Sequence, residues 1–464
     1  PACRGAGLPY DPRALCKGLL GQGGTAMKLT IDEALTRGGT GRFQWRLLGI
    51  FGLVWAADAM QVIAVGFAAP SVAATFGLER VTALQIGTVF FLGMFVGAFA
   101  FGRLADRIGR KWVLIGTVAM DAVFGLASVM AGDFTWLLIL RFLTGVAVGG
   151  TLPVDYAMMA EFLPPRNRGR WLVWLEGFWA VGTIVVALTA WAAASMGAVA
   201  PWRWIFLVAA MPALIGFFLR FWIPESPMYL VRKGRQAEAR AVIDRVLAVN
   251  GAMPLPANAH LRPAPVPSGG AASIMAAPLR RATIGVLAVW FLVSLSYYGV
   301  FVWVPGQLAT EGFGFVRGYG FLVILALAQV PGYALAAWGV EAVGRRPTLA
   351  AFLVLSALGC GLFALASSPA LVATALIVMS FALLGTWGAL YAFTPELYPT
   401  HLRGTGMGTA SAVARLGGIL APSLLAVVFA RGFGLAIGSF AVLLLLAAAA
   451  LLLIRIETRD RAIG

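Results

Sequence analysis

About twelve apolar stretches, each long enough to form a membrane-spanning helix, constrain this chain more than any other feature of its sequence. They cover approximately 46–70, 82–102, 112–131, 135–158, 171–195, 203–223, 282–304, 319–340, 348–366, 370–397, 405–430 and 434–455. A helix needs about 20 apolar residues to cross the roughly 30 Å hydrocarbon core of a bilayer. The composition agrees, since 60% of the 464 residues are hydrophobic and only 12% are charged. We therefore predict an all-α membrane protein with twelve transmembrane helices.

The placement of the basic residues predicts the orientation of these helices. The formal net charge is +16, which in a soluble protein would favour nucleic acid as a partner. If the N-terminus is cytoplasmic, however, only Arg80, Arg203, Arg317 and Arg431 fall on the outer side. This asymmetry follows the positive-inside rule. We expect a multi-pass protein with both termini in the cytoplasm and no nucleic-acid partner.

Two motifs recur at one constant offset. Segment 106–111 after the second span is repeated as 341–346 after the eighth, and the shared glycines at 109 and 344 give the offset, 344 − 109 = 235. The same offset relates Tyr156, Glu161, Pro164 and Arg168 to Tyr391, Glu396, Pro399 and Arg403. Duplicated halves around a central site are typical of transporters. The chain is therefore predicted to consist of two homologous six-helix halves.

The repeat divides the chain into five predicted regions. These are an N-terminal extension (1–45), a first six-helix bundle (46–225), a cytoplasmic loop (226–280), a second bundle (281–455) and a cytoplasmic tail (456–464). Residues 1–26 lack the long apolar core of a signal peptide and are predicted to be disordered. In the central loop, 228–249 has helical periodicity, whereas the Pro/Ala/Gly-rich part at 252–270 is predicted to be mobile.

The repeated loop resembles a known family signature. Residues 102–111, GRLADRIGRK, are similar to the loop motif of the major facilitator superfamily, and Arg141 with Gly145, Gly149 and Gly150 is similar to its fourth-helix motif. Residues 224–227, PESP, resemble the element that ends the first half of sugar porters. The resemblance covers residues 28–460. It implies two pseudo-symmetric six-helix bundles that work by alternating access.

Charged residues at the cytoplasmic helix ends are the candidates for a gate. The set is Asp106, Arg110, Glu161, Arg168, Glu341, Arg345, Glu396 and Arg403. Opposite charges there can pair when the inner side is closed and separate when it opens. The alternative is that these charges only anchor the loops in water, because ion pairs at an aqueous edge are individually weak.

Charges at membrane depth are the candidates for proton coupling, since an ionisable group there normally faces a cavity or a partner. Asp58 in the first span is our first candidate, paired with Arg141, and Asp121 is the second candidate for that arginine. Residues 55–60, WAADAM, resemble the first helix of synaptic-vesicle-protein-like metabolite symporters. The alternative is a permanent structural ion pair. The two histidines, His260 and His401, lie near loops, so an imidazole relay is not expected.

Arg415, near the middle of the eleventh span, is the candidate anchor for an anionic substrate. No acidic residue lies within one helical turn of it, although an embedded acid such as Glu176 is an alternative partner. The segments around Arg415 and at 290–299 resemble vertebrate organic-anion transporters. That resemblance adds Tyr297, Tyr298, Trp179, Trp387, Tyr391, Trp290, Gln61 and Tyr333 as substrate-binding candidates. Aromatic walls suit a flat ring, although ordinary packing is the alternative for any single one. Tyr333 replaces a lysine of those transporters, which favours a small monoanion.

These features together predict a proton-coupled symporter for a small aromatic monocarboxylate. The resemblance extends to a branch that includes bacterial niacin transporters, so nicotinate and its amide are the leading substrates, with benzoate-type acids as the alternative. A sugar porter, a drug-efflux antiporter and a non-transporting sensor fit the residues less well. No metal cluster, catalytic triad or phosphate-binding loop is apparent, and we expect no enzyme activity and no cofactor. We expect a monomer in the bacterial inner membrane, with substrate, protons and lipid as its partners.

Overall fold

The molecule is built almost entirely from helices. The computed structural model describes residues 27–166, 168–215, 218, 221–263, 273–303, 319–429 and 432–458. Within these ranges, ten helices are long and apolar enough to cross a membrane. Residues 1–26, for which disorder was predicted, lie outside the described residues.

The first half begins with a short strand and continues through eight helices. In chain order they are β1 (Met27–Thr30), α1 (Ile31–Gly38), α2 (Arg42–Phe76), α3 (Arg80–Ala83), α4 (Gln85–Ile108), α5 (Arg110–Val129), α6 (Phe134–Glu161), α7 (Arg168–Ser195) and α8 (Pro201–Ala210). Helix α8 continues as a 3₁₀ turn at Met211–Ile215. This turn lies inside the sixth predicted span, which was expected to reach residue 223.

The central loop and the second half supply the remaining elements. They are α9 (Pro227–Arg232), α10 (Gln236–Val249), β2 (Ala259–Arg262), α11 (Ala277–Tyr298), α12 (Tyr319–Ala342), α13 (Arg345–Ala364), α14 (Pro369–Phe393), α15 (Thr400–Phe429) and α16 (Phe433–Ala450). A π-helical turn at Gly299–Trp303 extends α11, and 3₁₀ turns at Thr394–Leu397 and Leu451–Leu453 extend α14 and α16. Each of the twelve predicted spans overlaps one of these helices.

Two repeat-related glycines separate consecutive helices. Gly109 lies between α4 and α5 with φ 106°, and Gly344 lies between α12 and α13 with φ 124°. An L-residue with a side chain rarely adopts such a conformation, so glycine is favoured at both breaks. The repeated motif thus specifies the same sharp break in each half.

Helices α4 and α6 make the most extensive helix contact in the described chain. Gly93 and Gly97 of α4 face the backbone carbonyls of Phe142 and Val146, so closely that a Cβ would clash. Gly145 and Gly149 of α6 face the backbone of α4 in the same way. Small residues spaced four apart allow membrane helices to approach closely. In the second half, Gly332 of α12 makes the equivalent approach to the carbonyl of Phe381 on α14.

The contact between the two halves is formed by helices that are equivalent in the repeat. Helix α7 packs against α12 and α14, and α4 packs against α15. Within this contact, Gly418 of α15 lies against the ring of Phe91, and Gly388 of α14 lies against Val173. These contacts place the centres of α7, α11, α12, α14 and α15 around a common space.

A two-stranded parallel sheet joins the start of the described chain to the central loop. Strand β1 pairs with β2 in the register Met27↔Ala259 to Thr30↔Arg262. Thr30 then caps α1, since its side chain accepts from the backbone N of Glu33, and the Glu33 carboxylate accepts from the Thr30 N. The prediction that 252–270 is mobile was wrong for 259–262, because the strand supplies backbone partners that composition cannot reveal. Residues 264–270 lie outside the described residues.

Candidate functional site

A small cavity lies between the two halves. Its described lining residues are Glu176, Trp179, Tyr297, Tyr298, Tyr333, Leu384, Trp387, Tyr391 and Arg415. Only Glu176 and Trp179 of these come from the first half, both on α7. The structure therefore brings together Arg415 and most of the aromatic residues predicted from the sequence.

Arg415 is held in the cavity wall without an acidic partner among the described residues. Its side chain is 3% exposed, and Nη1 donates a hydrogen bond to the Tyr298 hydroxyl at 2.5 Å. Nε is buried and makes no hydrogen bond, and no ion pair of the described chain includes this arginine. Asp58 and Glu176 interact with it electrostatically, but neither forms an ion pair with it in the described chain, and a buried guanidinium that no carboxylate pairs with is costly. The arrangement favours an anion that enters the cavity.

The aromatic lining is tied together by hydrogen bonds and ring contacts. The indole N–H of Trp179 donates to the Tyr297 hydroxyl at 2.8 Å, which links α7 to α11 across the two halves. The Tyr297 ring lies 5.7 Å from Trp387, edge to face. The indole N–H of Trp387 is buried without a hydrogen bond. The lining thus offers flat apolar faces together with a donor that a ligand could use.

Glu176 lines the cavity, although the sequence predicted it only as an alternative ion-pair partner of Arg415. Its Oε2 accepts a hydrogen bond from the Tyr333 hydroxyl at 3.4 Å, while Oε1 is buried without one. No ion pair joins it to Arg415 among the described residues. Its position one helical turn before Trp179 was the sequence signal that could have placed it in the cavity.

Four aromatic rings form a layer next to the cavity, on the side of the repeated loop motifs. Trp55 and Tyr156 belong to the first half, and Trp290 and Tyr391 are their repeat equivalents in the second. The rings of Tyr156 and Tyr391 lie 5.0 Å apart. Because equivalent residues of the two halves touch each other, this aromatic layer lies on the pseudo-two-fold axis. Trp290, predicted to bind substrate, packs against Trp387 and Tyr391 behind the described lining residues.

A second, apolar cavity lies on the other side of the first cavity. Its lining includes Thr183 and Gln329, each one helical turn away from the lining residues Trp179 and Tyr333. The Thr183 hydroxyl donates to the Trp179 carbonyl at 3.0 Å, which places the two cavities next to each other along α7. The second cavity therefore adjoins the first on the side away from the loop motifs.

The membrane-depth charges of the first half are arranged differently from the predicted pair. Arg141 Nη2 donates to Gln61 Oε1 at 2.7 Å, and within the described chain no ion pair joins Asp58 to Arg141. Asp121 is the carboxylate with which Arg141 interacts electrostatically. The second candidate is therefore the nearer partner, because α5 packs against α6 at this depth.

Gln61, one of the predicted substrate-binding residues, accepts a hydrogen bond from Arg141 and is not among the described residues that line the cavity. Asp58 is buried at 2% exposure, and its electrostatic neighbours are Asp121, Asp155 and Arg415. The cation that Asp58 faces is thus the cavity arginine. Among the described residues, no group of three or more His, Cys, Asp or Glu side chains is placed to hold a metal ion.

The predicted gate residues form equivalent ion pairs within each half. Arg110 pairs with Glu161 at 2.9 Å, and Arg345, its repeat equivalent, pairs with Glu396 at 3.0 Å. Arg345 also pairs with Glu341 at 3.2 Å. Each pair joins two helices of the same half. The sequence predicted that opposite charges pair when the inner side is closed, without stating which residues form each pair. The halves meet where Gly169 of α7 lies against the Arg345 and Glu341 side chains.

The other predicted gate residues have separate positions. Arg168 pairs with Asp32 of α1 at 2.8 Å and donates to the Leu163 carbonyl, so it anchors the N-terminal helix. The side chains of Asp106 and Arg403 lie outside the described part of the chain. The gate prediction can therefore be tested at the paired residues. Arg168 instead has the position of an anchor for α1.

Two glutamates that were not predicted from the sequence complete the loop end of each half. Glu225 accepts from the backbone N–H groups of Arg110 and Lys111, and Glu457 accepts from those of Arg345 and Arg346. A carboxylate at a helix N-terminus satisfies free N–H groups and the helix dipole. The equivalence does not show in the repeat because the offset of these glutamates is 457 − 225 = 232 and not 235.

Comparison with known proteins is consistent with this architecture. A family model described as Major Facilitator Superfamily matches residues 50–422 and 319–463. The chain is 34% identical over 427 residues to the "Niacin transporter NiaP" of Acinetobacter baylyi, covering 91% of this chain and 96% of that protein. It is 32% identical over 460 residues to the "Synaptic vesicle 2-related protein" of Rattus norvegicus, covering 93% and 82%.

The fold is similar to that of a solved transporter. The proton:xylose symporter XylE of E. coli, bound to 6-bromo-6-deoxy-D-glucose, superposes with a TM-score of 0.73 at 18% identity. The match covers 91% of this chain and 98% of the other. At this identity the likeness concerns the fold alone, namely two bundles of six membrane helices.

Proposed function

The chain belongs to the major facilitator superfamily and is a multi-pass membrane transporter, and we propose that it takes up nicotinate, or a closely similar small aromatic monocarboxylate, together with protons. The observation that carries this proposal is Arg415, buried in an aromatic cavity with no ion-pair partner among the described residues. The name of the Acinetobacter relative, at 34% identity over nearly the whole chain, supports niacin as the substrate.

In the proposed complex, the guanidinium of Arg415 holds the substrate carboxylate and the ring lies among the aromatic side chains of the cavity. Charge-assisted hydrogen bonds from arginine to carboxylate are strong and directional. The rings of Tyr297, Tyr298 and Trp387 supply the apolar contact, and the free indole N–H of Trp387 supplies a further donor. Nicotinamide keeps the ring contacts and loses the charge, so it should bind more weakly.

Proton coupling is proposed to run through Asp58 and Arg415. These two groups interact electrostatically across the interface between the halves. A carboxylate bound to Arg415 offsets the positive charge that Asp58 experiences, so substrate and proton favour each other's binding. By linkage the effect is reciprocal, which is what a symporter requires. Arg141 is hydrogen-bonded to Gln61 and interacts with Asp121, so in this proposal it is not the partner of Asp58.

The route of transport is proposed from the two sides of the cavity. The apolar second cavity forms the entry, and the aromatic layer of Trp55, Tyr156, Trp290 and Tyr391 forms the inner barrier, behind which lie the ion pairs of the loop motifs. The distribution of basic residues supports a cytoplasmic position for those motifs and for both termini. We place the protein in a bacterial inner membrane, acting as a monomer.

Uptake into proteoliposomes tests this function. Purified protein is reconstituted, the outside is made acidic, and radiolabelled nicotinate is followed with and without a protonophore. We expect accumulation above the equilibrium level that the protonophore abolishes, and competition by unlabelled nicotinate but not by xylose. Benzoate meets the same two requirements of charge and flat ring and serves as the competing acid. Uptake that xylose inhibits, or that is insensitive to the proton gradient, would contradict the proposal.

A further inference from the structure

We propose that Glu176 selects substrates whose aromatic ring contains a nitrogen, and so separates pyridine carboxylates from benzoate-type acids. This inference rests on the proposed function, because it assumes that Arg415 holds the substrate carboxylate. Glu176 would supply the second polar contact of the same cavity, at the end away from the arginine.

Glu176 is placed to meet a ligand rather than another side chain. It lies on α7 at 2% exposure, and its Oε1 is buried with no hydrogen bond. Its Oε2 accepts from the Tyr333 hydroxyl, at 3.4 Å. The indole N–H of Trp55 lies near the carboxyl group, but it does not complete a hydrogen bond, and its Nε1 is likewise buried without a partner. Buried polar atoms are normally satisfied in native structures, so an open oxygen that faces a cavity points to a missing partner.

Glu176 and Arg415 are the two charged residues of the described cavity lining, and they interact electrostatically. They come from different halves and line the same cavity, yet among the described residues no ion pair joins them. They also lie one turn apart on equivalent helices, since Ser411 is the repeat equivalent of Glu176 and Ala180 that of Arg415. A monocarboxylate can enter in only one orientation, because its charge is attracted to Arg415 and is not attracted to Glu176. The ring edge away from Arg415 then faces the carboxyl group.

A ring nitrogen satisfies Glu176 in either protonation state. A protonated carboxyl donates to the lone pair of a neutral pyridine nitrogen, and an ionised carboxylate accepts from a pyridinium N–H. Both cases give one hydrogen bond in a buried site. A benzene C–H offers neither, so benzoate leaves the buried oxygen unsatisfied. Sites built to hydrogen-bond a polar atom discriminate strongly against analogues that lack it.

The experiment measures the affinities of purified protein for nicotinate and for benzoate by titration calorimetry. We expect the wild type to bind nicotinate about 10- to 100-fold more tightly, the range for one buried hydrogen bond to a group that can be charged. In Glu176→Leu this ratio should fall close to one, because nicotinate binding weakens while benzoate binding is retained or improves. In Glu176→Gln part of the ratio should remain, since the amide N–H can donate to the ring nitrogen.

A further variant acts as a control. Asp155→Asn removes another buried carboxylate whose oxygens make no hydrogen bond but which is not among the described lining residues of the cavity, and it should leave the ratio unchanged. If Glu176→Leu does not fold, the Glu176→Gln ratio still decides, because it should lie between the wild-type ratio and one.

The outcomes separate the two proposals. A wild type that binds neither acid overturns the proposed function itself. A wild type that binds both acids equally, or a nicotinate preference that survives in Glu176→Leu, overturns only the role of Glu176. A loss of both acids in Glu176→Leu, in protein whose thermal unfolding is unchanged, also counts against selection by the ring nitrogen.

Discussion

At the loop end the two halves have nearly the same contacts, and at membrane depth they do not. Arg110 with Glu161 and Arg345 with Glu396 are equivalent ion pairs, and each arginine begins a helix capped by a glutamate. In the middle, by contrast, the repeat equivalents of Asp58, Arg141 and Arg415 are Val293, Leu376 and Ala180. The two halves thus share the contacts of the loop end, whereas their charged side chains at membrane depth differ.

The packing of the halves differs in the same direction. In the first half Gly93, Gly97, Gly145 and Gly149 bring α4 and α6 into backbone contact, and in the second half only Gly332 among the described equivalents does so. The positions equivalent to Gly145 and Gly149 are Ser380 and Leu384, and Leu384 lines the cavity. At these positions the second half has less close helix packing than the first half, and it has more side chains around the cavity.

The sharpest test of a proton-handling first half is Asp58→Asn. The amide cannot carry a proton through the cycle, so accumulation of nicotinate driven by a pH gradient should fall to the level seen without a gradient. Binding measured by calorimetry should remain within a fewfold of wild type. Asp121→Asn, which alters the neighbour of Arg141, should retain accumulation. If Asp58→Asn still accumulates substrate, another acid carries the proton.

Arg415→Ala tests whether the second half recognises the substrate charge. Removing a buried arginine that holds a carboxylate should weaken nicotinate binding about 100-fold, and nicotinamide binding by much less. Arg415→Lys keeps the charge but loses the planar fork, so an intermediate loss is expected. Calorimetry of both ligands is the measurement. An equal loss for acid and amide would mean that Arg415 maintains the cavity and does not bind the carboxylate.

Glycine substitutions test the difference in packing. Gly145→Ala places a methyl group against the backbone of α4 and should destabilise the protein by about 1–3 kcal/mol, measured as a lower thermal midpoint in detergent. Gly332→Ala should have a similar effect in the second half. Gly116→Ala lies in a helix with open space around it, and it should be neutral or stabilise by up to about 1 kcal/mol. Equal midpoints for Gly145→Ala and Gly116→Ala would contradict the close contact.

Paired substitutions at the loop end test the proposed equivalence of the gate. Glu161→Gln and Glu396→Gln each weaken one ion pair, at 2.9 Å and 3.0 Å respectively. Each should shift the conformational equilibrium toward the inward-open state by about three- to tenfold. The readout is the alkylation rate of a cysteine introduced at Val173, at the interface of the halves. A response to only one of the two changes would show that the ion pair of only one half controls the opening of the inner side.

Much of the fold followed from the sequence, because apolar length and one constant offset specify membrane helices and their duplication. The cavity residues Arg415, Tyr297 and Trp387 were also found, since charge at membrane depth and paired aromatic residues are local signals. Asp121 was predicted only as the second candidate for the partner of Arg141, because Asp58 and Asp121 both lie at membrane depth and only packing selects between them. Glu457 was missed for a related reason, since a small change in offset hides an equivalent role.

The small β1–β2 sheet has a consequence for how the chain is made. Its strands lie on either side of the whole first half in the sequence. Asn250 adds two contacts, since its Oδ1 accepts from the backbone N–H of Phe43 at 3.0 Å and its Nδ2 donates to the Gln44 side chain at 2.8 Å. These contacts can form only after residue 262 has left the ribosome, when the whole first half has already been synthesised. The sheet then joins the two ends of the first half, so this half can assemble as a unit before the later helices pack against it.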